Sequence, residues 1–349
     1  MRRVALTALL LTALSAEAVD FKGRVRLWAG PGVDTNAKRE FVSSGVATQP
    51  DGFLFGLLQL DGQLTLAERV RIVGGYDVAA RKFLRLDTED TIVQSAFLES
   101  TVTFLDMFAL GVSGRARDRR GADRDYTDLQ GGAVIDFFPT ANVDVRAQLM
   151  AHRFLFYKRF AYSFYGPDGM LTARYRFDRH HSISAFGSFN ARTYNGHRFD
   201  APGPEGIPGE TDETRSDSVF GAGLSYTYRG PFHFTFAYSY FDQDSNSFGE
   251  SVKRHRLSAT AGFVLPWKLT LLGSLTWQPS IFPDGVYLNP DLTIVEDDEN
   301  VSSLTIKLVR PLTQWFDLDL RYAGYLGIYP QNKFLYLRHV ISLGLSFSF

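Results

Sequence analysis

Leu335 to Phe349 reads LYLRHVISLGLSFSF. Ile341, Leu343, Leu345, Phe347 and Phe349 fall on one parity; Val340, Ser342, Gly344, Ser346 and Ser348 fall on the other. Side chains alternate across a β-strand, so this segment presents one apolar face and one face of small, mostly polar residues. Soluble sheets also alternate, but they seldom close on an apolar strand with no polar tail.

Working back from that strand, similar alternating segments recur between connections of two kinds. Phe316–Gly327 is joined to the last strand by the short loop YPQNK, and to Val301–Arg310 by a turn at Pro311-Leu312-Thr313. The long polar stretch Pro279 to Asn300, which carries Glu296-Asp297-Asp298-Glu299, separates these from Leu269–Gln278. Pro266-Trp267-Lys268 then turns to Lys253–Leu265, the polar loop DQDSNSFGES follows, and Phe232–Phe241 turns at Arg229-Gly230-Pro231 into Ser218–Tyr228. Loops and turns alternate, as in barrels with short periplasmic turns and longer extracellular loops.

The first half fits the pattern less cleanly. Strands are expected at Phe21–Ala29, Phe53–Leu64, Arg69–Val78, Thr91–Phe104, Met107–Arg115, Thr127–Phe137, Val143–Leu155, Met170–Phe177 and Ser182–Thr193. Turns are expected near Ala67-Glu68, Leu105-Asp106, Pro139-Thr140 and Asp178-Arg179, while Arg153 to Met170 reads as either a structured loop or a hidden hairpin half. The total is about sixteen strands, in a range of roughly fourteen to eighteen, and bacterial single-chain barrels have even numbers.

At the other end, Met1-Arg2-Arg3, an apolar run from Val4 to Leu14 and Ala16-Glu17-Ala18 give the expectation of a secretory signal peptide over residues 1–18, leaving 19–349 as one barrel domain. The run is shorter than the roughly 20 apolar residues a transmembrane helix needs. The chain has no Cys, so neither a lipid-modified cysteine nor a disulfide framework is available. Its 30 Phe and 16 Tyr are spread over alternating segments. A chain that spans lipid without helices must close its sheet, because every backbone N–H and C=O needs a partner inside the protein. Aromatics beside turns, such as Tyr226, Tyr228, Phe232, Trp267, Trp315 and Phe316, suit a bilayer interface, though soluble sheets also carry them.

The terminal pattern resembles the C-terminal strand of Gram-negative outer-membrane β-barrel proteins, whose assembly machinery reads a terminal aromatic preceded by apolar residues at every second position. Ile341, Leu343, Leu345, Phe347 and Phe349 carry that resemblance, with Phe347 where Tyr is common in the class. It covers the barrel as architecture but only the last ten or so residues as a motif. It implies an all-β fold, a transmembrane antiparallel β-barrel in the outer membrane, with lipid, lipopolysaccharide and the barrel-assembly machinery as partners.

If the apolar parity faces lipid, where a midplane charge costs roughly 2–4 kcal/mol, the other parity lines the interior. Interior positions are then expected for Arg24, Arg26, Arg69, Arg71, Arg146, Arg174, Arg176, Arg254, Arg256, Lys307, Asp317, Asp319, Arg321 and Arg338. They are expected also for Lys22, Asp128, Gln130, Asp136, Asp144, Gln148, His152, Ser184, Asn190, Arg192 and His233; Arg153 falls on the outward parity. A barrel of about sixteen strands leaves an aqueous channel. The basic excess either attracts anions or is neutralised by Arg–Asp pairs across strands, and the sequence leaves the two equally open. Arginines near Trp28, Phe186 and Phe241 also fit sugar passage by stacking and hydroxyl hydrogen bonds.

Enzymatic signatures do not emerge. The seven His are scattered, and the acidic run at Glu296 lacks the spacing of a calcium loop. There is no phosphate-binding Gly-rich motif, no Cys pair and no strongly basic segment for nucleic acid, and no cofactor is expected. No plug-like extension is expected before the first strand. The reading is a channel for hydrophilic solutes or carbohydrate, moderately favouring anions. A conduit for secreted polysaccharide working with periplasmic proteins, and a non-conducting structural or adhesive barrel, are the alternatives.

Overall fold

The computed structural model describes residues 19–42, 47–67, 69–121, 124–203, 208–284, 301–329 and 334–349. Sixteen antiparallel strands close into one barrel. They are β1 (Val19–Asp34), β2 (Asp51–Leu66), β3 (Val70–Phe83), β4 (Thr91–Phe104), β5 (Phe108–Arg120), β6 (Tyr126–Thr140), β7 (Val143–Phe156) and β8 (Phe164–Arg176). The second half is β9 (His181–Phe199), β10 (Glu210–Arg229), β11 (His233–Ser245), β12 (Val252–Leu265), β13 (Leu269–Trp277), β14 (Ser302–Pro311), β15 (Phe316–Tyr329) and β16 (Phe334–Ser348). The two residues Ser280 and Ile281 prolong β13 by pairing with Arg254 and Lys253. Closure is made by β1, which pairs with β2 on one side and β16 on the other.

Most strands run past the sequence-derived limits, to between 9 and 20 residues, where about 9–11 suffice to span a bilayer. The excess lies toward the long connections, so the hairpins project beyond the membrane. Glu210 to Glu213 therefore belong to β10, where Glu213 pairs with Arg198 at 2.9 Å. Between Arg153 and Met170 there is no additional strand: β7 continues to Phe156, one 3-10 turn spans Phe160–Tyr162, and β8 starts at Phe164. The proposed leader, the acidic run Glu296 to Glu299 and most of the Pro279–Asn300 loop lie outside the described residues.

Two of the tight turns use the left-handed backbone without glycine. Leu105 and Asp106 have φ of 53° and 54°, and Trp267 and Lys268 have 61° and 58°. Two successive positive φ values define the type I′ geometry, whose twist matches that of the flanking strands.

Parity assigns the two faces. On β16, Leu337, Ile341, Leu343 and Leu345 are exposed, while Tyr336, Arg338, Val340, Ser342 and Ser346 are buried. Carrying this alternation through the strand registers puts Leu320, Ile306, Leu275, Leu224, Leu171 and Leu110 on the outer surface. Every Lys, Arg, Asp or Glu of the outward parity in a described strand lies within four residues of a strand end, as with Lys82, Arg120, Arg153, Lys253 and Arg310. The middle of the outer wall is thus a belt without formal charge. Exposed aromatics, including Phe104, Phe177, Phe232, Trp267 and Trp315, ring the end with the tight turns.

The described residues after β1 turn into the barrel. Ala37 packs against Phe53, Phe83, Ala323 and Val340, all on the interior face, and Phe41 forms a bridge to Tyr336. Asn36 fixes the loop, its Nδ2 donating to the carbonyls of Glu40 at 2.8 Å and Leu337 at 3.1 Å.

Candidate functional site

The candidate site is the interior wall. Arg24, Arg26, Arg71, Arg146, Arg174, Arg176, Arg254, Arg256, Lys307, Asp317, Asp319, Arg321 and Arg338 all share the inward parity; Arg24, for example, faces Asp61 and Arg26 faces Gln59. Arg69 differs. It sits exposed in the turn between β2 and β3, because β3 begins one residue later.

Toward the tight turns the interior cations are matched by carboxylates of other strands, adjacent ones for Arg24 and Arg176 and both β6 and the more distant β4 for Arg146. Arg24 pairs with Asp61 at 2.5 Å, Arg176 with Asp144, and Arg146 with Glu99 and with Asp136 at 3.7 Å. Lys307 lies 3.3 Å from Asp319 and 5.1 Å from the centre of the Trp28 ring, so it is held by charge and by the ring's negative face. Trp28 itself covers Gly344, where a Cβ would stand 2.9 Å from its Cδ1.

Arginines gather beneath the inturned loop. A cavity of about 370 Å³ is lined by Arg39, Arg81, Arg117, Arg119 and Arg321, with Trp28, Phe53, Phe55 and Tyr325, and no described carboxylate lines it. Arg117 and Arg119 come from β5, whose stretch Arg115-Ala116-Arg117-Asp118-Arg119-Arg120 sends every second residue inward. The sequence reading ended β5 at Arg115 and β3 at Val78, and so missed Arg117, Arg119 and Arg81. The continuing period of two in RARDRR was the available signal; its polarity disguised it as a loop. Arg124, in the loop after β5, feels the same field: burial, followed by the charges of Arg39 and Arg119, pushes its guanidinium down to about 10.

A second recess, about 530 Å³, opens on the wall from β6 to β13 and includes Arg254 and Arg256. Here polar groups hold one another. His152 Nε2 lies 2.8 Å from Asp128, Asn190 donates through Nδ2 to His152 Nδ1 at 3.3 Å and to Asp168 at 3.1 Å, and Arg192 Nε donates to Asn190 Oδ1 at 3.0 Å. Because Asn190 is the donor to Nδ1, Nε2 carries the proton that His152 gives to Asp128. Among the described residues no group of His, Asp and Glu is arranged to hold a metal ion.

The residues of the terminal pattern occupy the seam. Ile341, Leu343, Leu345 and Phe349 are exposed on the outer face, and the Phe347 ring lies 5.2 Å from that of Phe316.

No protein-family model and no curated protein matches the sequence. Solved structures do resemble the fold. OmpF of Salmonella typhi, solved with daunomycin, aligns with a TM-score of 0.55 at 10% identity over 94% of this chain and 97% of its own. A bacterial polysaccharide outer membrane secretin aligns at 0.48 and 10% identity over 94% and 98%. OmpT, an outer membrane protein of Vibrio cholerae, aligns at 0.48 and 9% identity over 96% and 99%. The fold is therefore that of a sixteen-strand outer-membrane barrel. Its charge-free outer belt and girdle of aromatics match a bilayer, as in the outer-membrane barrels whose fold it shares.

Proposed function

We propose that this protein is a passive, non-enzymatic outer-membrane channel for small hydrophilic solutes with a preference for anions. The observation that carries the reading is the gathering of Arg39, Arg81, Arg117, Arg119 and Arg321 around one cavity. Low-dielectric walls of one sign focus the field and raise the local concentration of counter-ions, so anions gain over cations at this level of the lumen. Paired cations elsewhere, such as Arg24 and Arg176, hold the wall together and contribute little net field.

The test is the single-channel conductance and reversal potential of purified protein in a planar bilayer under a salt gradient. Openings with an anion-leaning reversal potential support the reading; folded protein that gives none overturns it. The outward row Ile341, Leu343, Leu345, Phe347 and Phe349 is proposed to be what the barrel-assembly machinery reads, and F349A should then lower the amount of folded barrel in cells. Residues 1–18 are proposed to be the leader that delivers the chain there.

A further inference from the structure

The second recess combines aromatic rings with side-chain amides, guanidinium groups and carboxylates. Phe186 and Phe241 both border it. A Cβ at Gly223 would stand 3.0 Å from Phe186 Cζ, and one at Gly221 would stand 2.8 Å from Phe241 Cε1. Each ring therefore covers a place on β10 where there is no side chain. The ring centres are 6.3 Å apart and their planes differ by 36°, so they form two neighbouring platforms.

Rings over glycines also occur for structural reasons, since an aromatic side chain shields the backbone a glycine leaves bare. Phe53 over Gly32 is such a case, 2% exposed beneath the inturned loop. Phe186 and Phe241 are only half-buried and open onto a cavity whose lining also includes the planar polar groups of Asn190, Arg192, Gln243 and Arg254. Several of these are fixed by their own contacts. Asn190 is held between Arg192 and Asp168, and Gln243 Nε2 donates to Asp217 at 2.8 Å. Amide, guanidinium and carboxylate groups together offer both donors and acceptors to a ligand. The volume lies within the roughly 300–1,000 Å³ of ordinary ligand sites.

A hexose ring has the complementary surface: a C–H-rich face that lies on an aromatic ring, and a rim of hydroxyls that donate and accept in one plane. We propose that this recess is a carbohydrate subsite inside the barrel, with Phe186 and Phe241 stacking on successive hexose rings and Asn190, Arg192 and Gln243 exchanging hydrogen bonds with their hydroxyls. It deepens the channel reading by naming a solute class, and rests on that reading only for the route by which sugar reaches the site.

The experiment is isothermal titration of the detergent-folded full chain with maltohexaose and with cellohexaose. At least one hexasaccharide is expected to bind, with affinity falling about tenfold or more in F186A or F241A, falling also in G223A, whose Cβ would displace the Phe186 ring, and unchanged in R119Q. Phe186→Leu replaces F186A if the alanine variant does not fold. Absence of heat with both sugars, or equal binding in parent, F186A and F241A, overturns the proposal. Ion conductance without sugar binding removes this subsite and leaves the channel; sugar binding without conductance does the reverse.

Discussion

Arg338 of β16 donates to Asp34 of β1 through Nε at 3.0 Å and Nη2 at 2.6 Å, joining the two strands that close the barrel across 304 residues of sequence. Neither side chain is more than 1% exposed. Asp34 also accepts from the backbone N–H of Asn36 at 3.0 Å and lies 3.8 Å from Arg81, so the same carboxylate anchors the inturned loop to the seam. The two partners are not equivalent: removing Arg338 leaves Asp34 beside Arg81, whereas removing Asp34 leaves a buried guanidinium over the Tyr325 ring without its carboxylate.

Breaking a buried ion pair from one side costs about 3–5 kcal/mol, and D34A should fall in that range. R338M should cost less, because Arg81 remains. The midpoint of urea unfolding of the barrel in detergent or thin bilayers would measure both; R338M costing as much as D34A would contradict the assignment.

Selectivity should reside in the arginines gathered around the first cavity. R117Q combined with R119Q is expected to lower the anion-to-cation permeability ratio by a factor of about 2–5 at 0.1 M salt and by less at 1 M, where the screening length shrinks to about 3 Å. Asp61→Asn, which releases Arg24 near the tight-turn end, should move the ratio the other way. Reversal potentials at the two salt concentrations check both.

Arg124 gives a pH signature. Its pKa is lowered to about 10 by burial and by Arg39 and Arg119, so the folded barrel disfavours the charge it carries at neutral pH. For a base with a lowered folded pKa the cost is fully present below that pKa and fades as pH rises through it. R124Q should therefore be more stable than the parent at pH 7, on the order of 1–3 kcal/mol at about 1.4 kcal/mol per pKa unit, with the difference closing above about pH 10. Thermal midpoints of the two proteins at pH 7, 9 and 10.5 test it.

The turn between β8 and β9 responds at the acid end. Asp178 Oδ1 accepts from the backbone N–H of His180 at 2.7 Å and of His181 at 2.8 Å, and these bonds lower its pKa. A depressed carboxylate contributes stability above its unfolded pKa of about 3.9 and loses it as pH falls through the folded value. D178N should then differ from the parent at pH 6 and converge with it at the acid end, as followed by thermal melts from pH 6 downward.

The two faces make opposite demands on charge. Leu343 is exposed on the outer belt and pairs with Leu320, so L343R should destabilise by about 2–4 kcal/mol in a bilayer. Ser274, of inward parity and two register positions from the partner of Lys307, should accept glutamate with little loss. Equilibrium folding into vesicles separates the two; equal penalties would sink the assignment of faces.

Much of this architecture was legible before any coordinates. Residues 341–349 disclosed both the strand and its two faces, and the same alternation located all sixteen strands, because period two is a property of each segment alone. Strand ends were the weak points. Arg81, Arg117 and Arg119 continue the pattern of β3 and β5 past the hydrophobic part, where extended hairpins are as polar as loops.

By itself, then, the sequence determined the barrel and its approximate strand number, and the cost of a charge in lipid gave an expected inward parity for the strands that carry charged residues. Only the tertiary structure decided which inward residues meet. Pairing Arg338 with Asp34, gathering arginines from β3, β5, β15 and the first loop around one cavity, and laying Phe186 and Phe241 over Gly223 and Gly221 all depend on closure, register and a loop that folds inward. These are relations between distant segments, set by how strands pair around a ring, and no local periodicity contains them.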